Sequence, residues 1–208
     1  VDVRQEIRTR REGGRELPLL LWRFPAPVRA IASAPHGGGL GLRRWVLNAG
    51  VPGGYSRRDP DRHLSTLAVS LGLPGRGVGM LTAADVRAFT TGEDGGVEVV
   101  ATVGLTHPVL AAAPDDGAGE LVGTINVLAL VPAKLSDAAL VNAVATVTEA
   151  KTQALMQAGH RATGTPTDAV CVVCTDVGHV SAFGGPRSVW GARLARAVHR
   201  AVLAGATT

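Results

Sequence analysis

The sequence predicts an α+β (mixed α/β) fold: a single domain over residues 1–208, with a largely antiparallel sheet and helices packed on it. Three observations carry this expectation. The first quarter alternates apolar and polar residues between glycine turns, the pattern of β-hairpins. The second half sets apolar strand segments between long helical ones. A chain of 208 residues that is 46% hydrophobic and 18% charged also has material for one sizeable core. Aromatic residues make up only 3%, so that core rests on Val, Leu and Ala.

Residues 1–10 alternate in polarity, Gly13-Gly14 supplies a turn, and residues 17–24 are strongly apolar, which together read as a hairpin. Residues 28–34 and 42–47 read as two further strands joined by the glycine-rich turn 36–41. A helix over 61–71 stops at Gly72, with Pro74 beyond it. Residues 77–82 and 86–91 have strand character, and Glu93-Asp94-Gly95-Gly96 turns into a strand over 97–105. The loop 111–119 is the one candidate boundary, and the chain is not divided there. Residues 124–131 form the next strand. Ser136 is a good N-cap and Asp137 suits the positive end of a helix that runs to about Ala158 and stops at Gly159. A strand over 169–175 and a helix over 188–203 follow. Leu194, Val198, Ala201 and Val202 form the apolar stripe of that helix, with Arg193, Arg196 and Arg200 turned outward.

The net charge of +4 reflects nineteen arginines against two lysines. No zinc-finger spacing or aromatic-basic signature accompanies it, and the basic run from Arg8 to Arg15 is broken by Glu12 and Gly13-Gly14 and reads as a solvated hairpin, so a nucleic-acid partner is not expected. Gly37-Gly38-Gly39-Leu40-Gly41 lacks the G-x-G-x-x-G register and a following helix, which argues against a dinucleotide loop. Cys171 and Cys174 form a C-x-x-C inside an apolar strand, where residues three apart face opposite sides, so both are expected as buried thiols. The apolar stretch 17–22 is too short and too soon broken by proline for a signal core. With no stretch of transmembrane length either, no membrane association is expected, and a reducing cytoplasm is the expected setting.

The long helix places Asn142, Thr146, Glu149 and Gln153 on one polar stripe, with Leu140, Val144, Val147 and Leu155 opposite. Lys151 falls in the middle of the apolar side. Glu149 reads either as a solvent-facing carboxylate or as a cleft-lining one. Lys151 reads either as a stem with a snorkelling ammonium or as a cation held at a pocket edge for a developing oxyanion. Gly164-Thr165-Pro166-Thr167-Asp168 reads either as a hydrogen-bonded turn or as a source of a hydroxyl nucleophile and a carboxylate base. The histidines form neither H-x-x-x-H nor H-E-x-x-H, so no metal site is expected, and His107, at a strand end, is the strongest candidate among them.

Several distinctive blocks follow one another along the chain. They are Asn48 with Tyr55-Ser56 and Asp59-Pro60, the run Gly77 through Ala83, Gly104, Gly123-Thr124-Ile125-Asn126, Leu140-Val141-Asn142-Ala143, Thr148-Glu149-Ala150-Lys151, Thr165 through Asp168, Gly185-Pro186 and Gly191. In this order and spacing, over about residues 45–205, the chain resembles the CbiZ family, the adenosylcobinamide amidohydrolases of corrinoid salvage. The resemblance implies cleavage of the amide joining aminopropanol to adenosylcobinamide, releasing adenosylcobyric acid for coenzyme B12 synthesis. It also implies a corrinoid small-molecule partner and no separate cofactor. It leaves the oligomeric state open, a homo-oligomer included. For that reaction Asp168 is expected as the base acting on water or on Thr167, and Lys151 as the cation at the oxyanion. Glu149 is expected to bind substrate or donate to the leaving amine. Asn48, Tyr55, His107, Asn126, Asn142 and Thr165 make up the expected substrate-binding set. Two alternatives stay open: a non-catalytic corrinoid-binding or delivery protein, and a hydrolase of another secondary amide.

Overall fold

A computed structural model describes residues 1–114 and 123–207. Its first hairpin joins β1 (Arg4–Glu12) to β2 (Arg15–Ala32) through Gly13 and Gly14, both at positive φ, as a two-residue turn requires. β2 continues through the stretch expected to separate two strands. Pro25 and Pro27 cannot donate to the ladder, and its pairing with β3 (Gly39–Gly50) shifts register between Arg23 and Val28 instead of ending. The far end of β2 then pairs with β9 (Ala169–Cys174).

The remaining elements are α1 (Pro60–Ser70), β4 (Val78–Thr82), β5 (Thr90–Asp94), β6 (Val97–Gly104), β7 (Thr124–Val131) and β8 (Lys134–Leu135). They are followed by α2 (Asp137–Gln157), β10 (Val180–Ser181) and α3 (Val189–Ala206). The main sheet runs β4-β3-β2-β9-β7-β6-β5, with β1 on β2. Its pairings are antiparallel except β3 with β4 and β7 with β9. The expected strand over 86–91 begins only at Thr90. The Asp85 carboxylate accepts from the Arg87 amide and winds Val86–Ala88 into a 3₁₀ turn. The loop expected over 111–119 lies partly outside the described residues.

The sheet folds back on itself, so that β3 and β4 lie across from β6 and β7. Three cores result, which makes the architecture four layers, α–β–β–α. Leu19, Leu21, Trp45 and Leu47 face Leu64 and Leu67 of α1. Their alternating neighbours Leu20, Trp22, Val46 and Met80 meet Leu128, Leu130, Cys171 and Val173 between the two sheet layers. On the outer side, Ile125, Val127, Ala129, Val170 and Cys174 pack against Leu140, Val147 and Leu155 of α2 and Leu194 and Val198 of α3. β7 and β9 are therefore covered on both faces and read as unbroken apolar runs. The two cysteines are free, buried and on opposite faces. Among the described residues no helix is long and apolar enough to cross a membrane.

Candidate active site

The site begins with the parallel pairing of β7 and β9. Asn126 sits opposite Ala169, so two residues earlier Thr124 and Thr167 come together at the open strand ends. Their hydroxyl oxygens are 2.6 Å apart. Thr167 donates to the Gly123 carbonyl at 2.8 Å, which uses its only proton. Thr124 is then the donor within the pair. Its oxygen keeps acceptor capacity, whereas that of Thr167 is engaged on both sides. Gly123 suits this corner because a Cβ there would press at 3.2 Å on the Gly104 carbonyl, the His107 amide and the Thr165 side chain.

Asp168 is the anchor beneath the pair. One carboxylate oxygen accepts from the Ile125 amide at 2.8 Å and from the Thr165 hydroxyl. The other accepts from the Thr165 amide at 3.1 Å and from the Lys151 ammonium. These four donors match the roughly four acceptor positions of a carboxylate. Lys151, buried in α2, thereby ties the helix to the strand ends. A side chain at Gly164 would collide with both ions.

On the side facing β3 and β4, the Asn126 amide nitrogen donates to the Asn48 side-chain oxygen and to the Leu81 carbonyl, each at 2.9 Å. Asn48 passes its own donor to Thr102 in β6 at 3.0 Å. This network fixes the Asn126 amide orientation. It also leaves the Asn126 Oδ1, buried at the base of the cleft, without a hydrogen-bond partner. An orphaned buried acceptor is costly, and a donor on a bound molecule would satisfy it.

Thr124, Asn126, Thr167 and Asp168 line an open cleft of about 650 Å³ between the sheet layers, with Ser33 and Thr82 beside them. The volume is within the range of small-ligand sites. The segment before α1 forms another wall with Tyr55, Arg57 and Arg58. Burial pushes the Tyr55 phenol above its ordinary value, so it stays protonated at neutral pH. Its oxygen lies 2.9 Å from the His63 Nδ1. Among the described residues no three His, Cys, Asp or Glu side chains gather as a metal site.

The structure thus brings together some expected residues and separates others. Tyr55, Asn126, Thr167 and Asp168 line the cleft. Asn48, Lys151 and Thr165 stand behind them as buried partners. The His107 backbone packs beside Gly123, outside the cleft lining. Glu149 and Asn142 are exposed on α2 and do not line the cleft, with Asn142 beside Gly185. Sequence reasoning did not single out Thr124, His63 or Glu12. Thr124 was visible within the Gly-Thr-Ile-Asn block, but its pairing depends on the β7–β9 register.

Fold and cleft together define an α–β–β–α protein with a hydroxyl-lined cleft between its sheets. The fold is similar to that of the PH0078 protein from Pyrococcus horikoshii OT3, with a TM-score of 0.51 at 13% identity over 98% of this chain and 83% of that one. Residues 2–208 match the family model of CbiZ, adenosylcobinamide amidohydrolase, and the chain belongs to that family. It is 29% identical to an adenosylcobinamide amidohydrolase of Methanosarcina mazei, over 81% of this chain and 85% of the relative. It is also 39% identical to one of Halobacterium salinarum, over 53% of this chain and 50% of that protein.

Proposed function

We propose that this protein, working as one domain over residues 1–208, hydrolyses the amide joining aminopropanol to adenosylcobinamide and releases adenosylcobyric acid. Family membership supports the reaction, and the observation that supports its location is the Thr124–Thr167 hydroxyl pair at the floor of the cleft. In this reading the aminopropanol arm enters the cleft and the macrocycle stays at its open mouth. The Thr124 oxygen attacks the amide carbon, because it is the hydroxyl of the pair that keeps acceptor capacity. The C–N bond breaks, aminopropanol leaves with a proton, and water hydrolyses the resulting ester to adenosylcobyric acid and free Thr124. Asn126 Oδ1 accepts the N–H of the scissile amide and orients it.

The roles expected from sequence alone are redistributed. Asp168, with four donors already on it, acts as the organiser of Thr165, Lys151 and the start of β7 in place of a proton acceptor. Lys151 holds Asp168, and Thr167 polarises Thr124. Glu149 takes no part, since it lies on the exposed face of α2.

Incubation with adenosylcobinamide, followed by mass analysis, tests the reaction. Adenosylcobyric acid and aminopropanol are the expected products, and intact substrate with folded protein would support binding alone. Thr124→Ala is expected to lower turnover at least ~10³-fold while corrinoid binding persists, and Thr124→Ser to retain part of the rate. Near-normal turnover in Thr124→Ala would remove the nucleophile assignment.

A further inference from the structure

Asp168 is saturated, so a hydroxyl nucleophile in this cleft needs another proton acceptor. We propose that Tyr55, backed by His63 and Glu12, is the acid–base group of the cleft, a proposal that rests on the hydrolase reading above. Tyr55 is the chain's one tyrosine, and its phenol stands on the cleft wall. Behind it, His63 lies in the first turn of α1, 3% exposed, with its ring stacked on Tyr55 at a centroid distance of 5.6 Å. Glu12, at the end of β1, places a carboxylate oxygen 2.9 Å from the His63 Nε2, a contact of charge and not an aligned hydrogen bond, since Nε2 is buried without a hydrogen-bond partner. Arg10 holds Glu12 at 3.0 Å and is itself tied to the Gly50 carbonyl at 2.8 Å. Three separate segments of the chain are therefore aligned on one phenol.

The order of the groups sets the protons. The negative charge of Glu12 beside Nε2 favours a proton on that nitrogen although the two are not aligned as a hydrogen bond, which leaves Nδ1 as an acceptor, so Tyr55 donates to it. The Tyr55 oxygen is then available to accept from a hydroxyl in the cleft. The other charges around the relay are Arg10, Arg57 and Asp59. Arg57 is bound to Asp59 through two contacts of 2.9 Å, so its charge is largely offset.

The step balances. For the attack the Thr124 hydroxyl turns from the Thr167 oxygen toward the cleft that it shares with Tyr55, and its proton passes through water in that cleft to the Tyr55 oxygen. The phenol's own proton moves to His63, and the resulting imidazolium is held by Glu12. When the C–N bond breaks, the transfers reverse and Tyr55 delivers a proton to the departing nitrogen. The nucleophile loses one proton and the amine gains one. Tyr55 is thus a catalytic residue, whereas His63 and Glu12 position it and stabilise the transferred charge.

The test compares Tyr55→Phe, His63→Gln and Glu12→Gln with the unchanged protein in adenosylcobyric acid formation across pH. Tyr55→Phe is expected to lower kcat about 10²-fold or more with KM little changed, the scale of a lost general acid–base group. Glu12→Gln, whose side chain is 36% exposed, is expected to fold normally and to change the pH profile of kcat. His63→Gln is expected to lower kcat as Tyr55→Phe does, with KM little changed. If the unchanged protein forms product while Tyr55→Phe and Glu12→Gln keep its kcat and pH profile, the relay is wrong. If the unchanged protein forms no product although it binds the corrinoid, the hydrolase reading itself fails.

Discussion

Replacing Lys151 with methionine isolates the ion pair that holds the site together. Methionine preserves the apolar stem, so little packing changes in α2, but the Asp168 carboxylate loses its cation. The two side chains are only 8% and 12% exposed, so water cannot readily replace the lost partner. Breaking such a pair from one side costs about 3–5 kcal/mol. For a domain of this size each kcal/mol lowers Tm by about 2–4 °C, so Lys151→Met is expected to melt roughly 6–20 °C lower. Asp168→Asn leaves the opposite fault, an unpaired ammonium and an amide group facing the donors of Ile125 and Thr165. Carrying both changes removes both charges, and the double variant should be more stable than the sum of the two losses implies. Thermal and urea unfolding at neutral pH supply the cycle. If Lys151→Met melts within about 2 °C of the unchanged protein, or if the two changes add within about 0.5 kcal/mol, the pair is not the brace described.

Two further predictions concern the rest of the fold. Burial pushes the Cys171 thiol up to about 12, and burial also raises Cys174, so neither is a thiolate at neutral pH. Native protein should resist a thiol reagent until it unfolds, and modification faster than global unfolding would contradict the two-sided burial of β9. At the other edge, the hydrogen bond from Arg196 holds the Asp94 carboxyl below its ordinary value of 3.8, helped by the charge of Arg200. A lowered carboxyl contributes stability that is present above the ordinary value and is lost as pH falls through the depressed one. Asp94→Asn should therefore flatten the acid limb of a stability–pH curve and leave the slope near neutrality unchanged. An unaltered acid limb would show that the β5–α3 contact carries no such linkage.

What could be seen beforehand follows from local physics. The Gly95-Gly96 hairpin is visible because both residues need positive φ. The start of α2 is visible because Ser136 accepts from the Ala139 amide as an N-cap should. Lys151 in an apolar helix face is visible from helical periodicity, and it marks a partner without naming Asp168. Periodicity was a weaker guide on the polar stripe of the same helix. Thr146 turned inward to the Gly184 carbonyl, while Glu149 remained in solvent. A stripe facing a neighbouring segment and one facing water carry the same pattern.

The sequence by itself determined the three helices and most of the long strands, the glycine turns, the alternation that sends the two cysteines to opposite faces, and the family. Only the tertiary structure decided that β2 runs on through its prolines and that the sheet folds so that Asn48 reaches Asn126. It likewise chose Thr124 over Thr167 as the hydroxyl with acceptor capacity, and it set Glu12 and His63 behind Tyr55. The reason is that propensity, capping and periodicity act over a few neighbouring residues. Strand register and the docking of layers are set by the burial of whole faces, and they bring together groups whose local sequence carries no trace of the contact.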